Sequence, residues 1–259
     1  MRPWEVACLL AIWVGIVAAM RWRTAHPLRQ MVEYLVSSRQ FATARELGDL
    51  NHLTTADDPH VRYYLALAAA LNRDKPRAIA ELEALRHDKP RVVMAWLSLA
   101  GLYLDDNQPE RALEVAQEVT GRLQQDASAY VMAVRAGRRL GDLNRARLAA
   151  DLALTIEPGS GIAKAAAAAI ALDQGDIPKA RQLIKDALNQ APDETYVQVV
   201  NAEIALKTLS AVDARQAVAE ALAAIESNPL AMLNVEREIL KQANGRVSTS
   251  DPTGNSTGD

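Results

Sequence analysis

The feature that most constrains this chain is a 34-residue period. Ala78, Ala112, Ala146 and Ala180 stand one such step apart, Pro158 and Pro192 do the same, and Pro90 lies two steps before Pro158. Gly141-Asp142 returns as Gly175-Asp176 at the same interval. Small residues and turn signals at constant phase mark a unit that stacks on copies of itself, because one unit alone cannot bury its apolar side. Abundant alanine and few aromatics favour closely approaching helices over sheets.

The spacing has a mechanical cause. Two helices joined by a tight turn must touch near their crossing, and Ala66 with Ala78, Ala100 with Ala112 and Ala168 with Ala180 supply the small residues there. Enlarging one would overpack the contact by about 1–3 kcal/mol. Gly-Asp predicts the turn between the helices. Pro76, Pro109 and Pro178 fall where a second helix begins and a missing N–H costs little. The closing prolines stop that helix before the next pair.

The best copy reads Trp96, Leu99, Ala100, Tyr103, Ala112 and Ala116. This spacing resembles the tetratricopeptide repeat family. The resemblance implies an all-α, right-handed α-solenoid of about six helix pairs over residues 25–243, with copies near 25–58, 59–92, 93–126, 127–160, 161–194 and 195–231. The sixth copy has a period of 37, and the extra residues are expected to lengthen the turn around Leu209 to Asp213. A capping helix is expected at 230–242, and residues 244–259, rich in Ser, Thr, Gly, Asn and Asp, are expected to be disordered.

Ahead of the repeats, Val6 to Met20 carries no charged side chain, with Trp4 and Trp22 at its edges. The favoured reading is a transmembrane helix at 3–22, the chain's membrane contact, close to the lower length limit for a span. A cleaved signal peptide, cut after Val17 to Ala19, and a buried core helix are the alternatives. Arg21, Arg23 and Arg29 on the far side outweigh Arg2. A single-pass protein of the bacterial inner membrane is expected, with the repeats facing the cytoplasm in preference to the periplasm. Arginine outnumbers lysine 22 to 7, which fits a GC-rich bacterial genome.

A net charge of -3 with both signs interspersed argues against a nucleic-acid partner. The one cysteine, Cys8, can form neither an internal disulfide nor a four-ligand zinc site. No phosphate loop, zinc helix or nucleophile elbow appears, so neither an enzyme nor a cofactor is expected. His52 and His60 flank Asp57-Asp58, but Asp58 reads better as the cap of a helix opening at Pro59 than as a metal ligand.

In the family resembled, the first helix of each pair lines a partner-binding groove. That phase implies Tyr63, Leu67, Leu97, Leu104, Val131, Arg135, Arg138, Arg139, Leu172, Tyr196 and Val199 as groove residues. Arg135, Arg138 and Arg139 share one helical side and suit a protein segment that carries carboxylates or phosphates beside apolar anchors. The competing reading is a helix face whose arginines pair with nearby acids. The asparagine and lysine clamp that some members use for chaperone tails is not matched, since Ser98, Met132 and Ala166 occupy its places. The resemblance therefore implies a membrane-tethered scaffold similar to envelope-biogenesis adaptors in secretion or polysaccharide assembly. The alternative is a periplasm-facing chaperone for exported proteins.

Overall fold

The computed structural model describes residues 30–50, 58–88, 93–122, 125–228, 231 and 233–249. The chain divides into two compact units, one ending at Ala95 and the other beginning at Trp96.

The first unit contains α1 (30–37), α2 (Phe41–Leu50), α3 (Pro59–Leu71) and α4 (Lys75–Asp88). Asp58 caps α3, accepting from the backbone N–H of His60 at 2.8 Å, and Pro59 fills the first turn. Ala66 and Ala78 are fully buried, so α3 and α4 can approach closely. Val32, Val61, Leu82 and Leu85 complete this core.

The second unit begins within α5 (Val93–Asp105), which pairs with α6 (Pro109–Arg122). Then come α7 (Ala127–Leu140) with α8 (Leu143–Ile156), α9 (Gly161–Asp173) with α10 (Ile177–Gln190), and α11 (Thr195–Thr208) with α12 (Ala211–Ser227). A last helix, α13 (Asn234–Thr249), follows. First helices pack on first helices, α7 on α9 and α9 on α11, and each also packs on its own second helix. The core holds Trp96 and Tyr103, both essentially out of water, and a run of buried alanines in α9. The Arg111 guanidinium lies over the Tyr103 ring, 4.2 Å from its centroid, and Arg122 over the Trp96 ring at 5.3 Å.

The 34-residue step is written into the backbone. Arg39, Arg73, Asn107, Gly141 and Gly175 all have positive φ, between 57° and 78°. Each follows a first helix, and the next residue's N–H bonds back to the carbonyl five residues earlier, as in Asp74 to Ala69 and Asp142 to Gly137, both 2.9 Å. This is the Schellman closure of a helix end. Only the last two positions are glycine, the residue that adopts this conformation without steric cost. Asp142 and Asp176 then cap the following helices through the N–H of Arg145 and Lys179. At Gly137 an added Cβ would lie 3.0 Å from the Ala146 Cβ, so this crossing tolerates no larger residue without movement.

The step stops at the sixth pair. Leu209 has φ of -113° and an extended conformation. The turn expected to lengthen is only Leu209-Ser210, and the additional residues extend α12 to 17 residues. Ser210 accepts from the Asp213 N–H one 34-residue step after Asp176 caps α10, so α12 opens in register and the extra chain lengthens its C-terminal end as helix. At the C-terminus, α13 runs to Thr249, past the point where the tail was expected to begin.

The span expected at 3–22 lies outside the described residues. Among the described residues no helix is long and apolar enough to cross a membrane. The longest, α12, measures about 25 Å at ~1.5 Å per residue, short of a hydrocarbon core of about 30 Å. It also carries Asp213, Arg215, Glu220 and Glu226. The expected all-α solenoid preceded by a transmembrane helix is corrected on this ground: the described residues form helix pairs, with no transmembrane span among them. The single-pass inner-membrane assignment is withdrawn with it.

Candidate functional site

The first helices of the second unit bring together residues far apart in sequence. Arg138 of α7 donates from Nε to Asp173 of α9 at 2.6 Å and from an Nη to Glu203 of α11 at 2.8 Å. The separations are 35 and 65 residues, which is about one and two repeats along the same layer. Burial disfavours the Arg138 charge, but Glu203 and Asp173 outweigh it and hold the guanidinium well above its ordinary value. The cation is therefore permanent, and it ties three first helices to one another.

Arg135, one turn earlier on α7, is deeply buried. Its guanidinium donates to Glu236 of α13 at 3.2 Å, and the pair's side chains are only 4% and 13% exposed. Asp105, at the end of α5, accepts from the Asn234 backbone N–H at 3.0 Å and from its Nδ2 at 2.6 Å. The Asp105 carboxylate thus caps the start of α13 from a residue 129 positions earlier. Burial pushes the Asp105 carboxyl up from its usual range, and Glu236 adds to this against the Asn234 hydrogen bond and Arg135. Leu233 and Leu240 are buried, so α13 is anchored by apolar contact as well as by these polar ones.

Beside α13 lies a cavity of about 360 Å³. Its walls include Arg135, Arg138, Arg139 and Lys207 against Asp173, Glu203 and Glu236, with Tyr196, Leu143 and Ile239 as its apolar part. The Tyr196 ring lies 5.7 Å below the Arg135 guanidinium. Burial is the main cause that pushes its hydroxyl up to about 12. That hydroxyl and the Glu236 Oε2 are buried and accept or donate no hydrogen bond among the described residues.

The residues expected to line a groove fall into three groups. Arg135, Arg138, Arg139 and Tyr196 converge on this cavity. Leu104, Val131, Leu172 and Val199 are buried side chains, packed inward because an apolar first helix buries more than one stripe between its neighbours. Leu97 is half-buried. Tyr63 and Leu67 are buried in α3 of the first unit, with Tyr63 against the Tyr64 ring at 5.3 Å.

The arginine cluster is not an open basic patch. Arg135 and Arg138 are engaged with carboxylates. Among the described residues Arg139 and Lys207 form no ion pair, and Arg139 donates only to the Asn107 Oδ1 at 3.1 Å. The acids Asp173 and Glu203 could have been found in the sequence by stepping about one and two periods from Arg138. Asp105, Asn234 and Glu236 had no such signal. Among the described residues no group of His, Cys, Asp and Glu could hold a metal ion, and His52 and Asp57 lie outside them.

Hairpins closed at a 34-residue step, with first helices layered on first helices, define a helical-repeat protein with the tetratricopeptide-repeat fold. No family model matches the chain, and no curated protein matches it. Among solved structures it is similar to a tetratricopeptide repeat protein from Parabacteroides merdae ATCC 43184, with 13% identity, 94% of each chain covered and a TM-score of 0.67. It is also similar to TTC0263, a thermophilic TPR protein in Thermus thermophilus, at 18% identity and a TM-score of 0.57 over 74% of this chain and 100% of that one. A third is the Cut9-Hcn1 hetero-tetramer of APC/C, at 15% identity and a TM-score of 0.61, covering 85% of this chain and 42% of the other.

Proposed function

We propose that the protein is a non-enzymatic scaffold that holds a partner protein on the first-helix face of its second unit. The observation that carries this reading is the cavity beside α13, where Arg139 and Lys207 stand without an acid partner among the described residues, next to Tyr196, Leu143 and Ile239. Two cations over an apolar bed suit a segment that brings carboxylates and an aliphatic anchor together. Arg135 and Arg138 are already neutralised, so they position the helices and contribute little attraction of their own. The resemblance to envelope-biogenesis adaptors directs the search for that segment toward secretion and polysaccharide-assembly proteins.

Selection of a displayed peptide library against the full chain tests this. The expected outcome is enrichment of peptides rich in Asp and Glu with interspersed Leu or Ile. Their binding should fall at least tenfold in the Arg139→Glu/Lys207→Glu variant while its thermal melt stays unchanged. Peptides with no common charge, or binding indifferent to that variant, would contradict the proposal.

A further inference from the structure

We infer that α13 is the resident, displaceable occupant of the first-helix face, and that the partner helix which replaces it carries the same chemistry. The inference rests on the scaffold reading above and deepens it. Helix α13 contacts α11 and α12 by packing. It reaches Asp105 at the end of α5 through Asn234 and Arg135 of α7 through Glu236. It thus lies across the layer of first helices, the surface this fold offers to a ligand. Its recognition elements are compact: an Asn that fits the Asp105 carboxylate, a Glu two residues on for Arg135, and Leu240 as a buried anchor.

The seat is imperfectly satisfied. Glu236 uses one carboxylate oxygen on Arg135 and leaves the other buried without a hydrogen bond, and the Tyr196 hydroxyl, of a residue lining the same cavity, is buried and unsatisfied too. A second carboxylate, Asp105, faces the same end of α13. Unmade hydrogen bonds of buried groups and repulsion between two carboxylates weaken the closed form. Ile239 is half exposed at the cavity, which leaves apolar surface beside α13 uncovered. A partner helix that presents the same Asn-x-Glu face, and also meets Arg139 and Lys207, satisfies more of this surface than α13 does. Because α13 is covalently attached, it competes at an effective concentration of roughly millimolar, so a ligand binds the closed chain with reduced apparent affinity.

The test uses a labelled synthetic peptide of residues 233–249 and the full chain. A Glu236→Gln/Leu240→Ala chain, with its own α13 loosened, should bind the peptide at least tenfold more tightly than the unaltered chain. Adding Arg135→Ala should remove that gain. Equal affinity in the two chains, or no binding by the loosened chain, would each overturn the inference. If the loosened chain fails to fold, amide exchange on the unaltered chain decides the matter. On adding an acidic peptide selected from the library, α13 amides should exchange at least tenfold faster while those of α7 and α11 remain protected; unchanged protection of α13 overturns the inference. Library peptides that depend on Arg139 and Lys207, yet bind loosened and unaltered chains equally, would sink the latch and leave the scaffold standing.

Discussion

The two units are made from the same hairpin and place their charges differently. In the first, Arg62 of α3 pairs with Asp88 at 3.0 Å and lies 3.9 Å from Glu81, and Arg77 pairs with Asp49. These acids are about half exposed, and the pairs join neighbouring helices at the surface. In the second, Arg135 and Arg138 reach across 35 to 101 residues to acids that are at most 23% exposed. A repeat therefore fixes where helices go without fixing what their faces do. Surface pairs are screened and contribute about 0–1 kcal/mol each. Breaking a buried pair strands the partner charge at a cost of about 3–5 kcal/mol.

The largest effect should come from that contrast. Arg135→Ala is expected to lower unfolding stability by roughly 3 kcal/mol or more, read by chemical denaturation, because Glu236 stays buried without its cation. Arg62→Ala should change stability by no more than about 1 kcal/mol. Similar losses from both would mean that the second unit's network is as solvated as the first unit's pairs.

Tyr196 supplies the next effect. Its hydroxyl releases a proton near 10 in the unfolded chain and at about 12 in the folded one. Between those values the unfolded chain binds fewer protons, so stability falls as pH rises, by roughly 2 kcal/mol over the window. Tyr196→Phe should flatten that part of the stability–pH profile. A phenolate titration in which this tyrosine ionises with the others would contradict its burial.

The turns give a smaller and more pointed comparison. Gly141 in the second unit and Arg73 in the first occupy the same left-handed position, and an added Cβ at Gly141 would meet nothing within 4 Å. Gly141→Ala should therefore destabilise by about 1 kcal/mol through backbone conformation alone. Arg73→Gly should stabilise by about 0.5–1 kcal/mol, since relief of the left-handed backbone exceeds the entropy that glycine adds to the unfolded chain. Shifts of the same sign would show that side-chain contacts decide these turns.

Those residues also mark what could be read from the sequence. Gly141-Asp142 and Gly175-Asp176 announced their turns because glycine and aspartate have a mechanical reason to be there. Arg39 and Arg73 have no left-handed preference, so only the 34-residue step betrays them. The alanine crossings were legible because close approach permits nothing larger. The arginine cluster was visible at Arg135, Arg138 and Arg139, but its partners were not. Asp173 and Glu203 follow from the period to within a helical turn, while Glu236 lies beyond the lengthened end of α12, where the period breaks and sequence spacing ceases to report spatial neighbours. Leu104, Val131, Leu172 and Val199 lie on first helices and are buried. Helical phase alone could not separate a lining position from one wedged between two first helices.

A double-mutant cycle across Arg135 and Glu236, each replaced by Ala singly and together and measured by denaturation, tests whether α13 returns to the first-helix layer. A buried pair should show a coupling of at least about 1 kcal/mol between these residues, 101 positions apart. Single losses that add to the double loss within about 0.5 kcal/mol would contradict it.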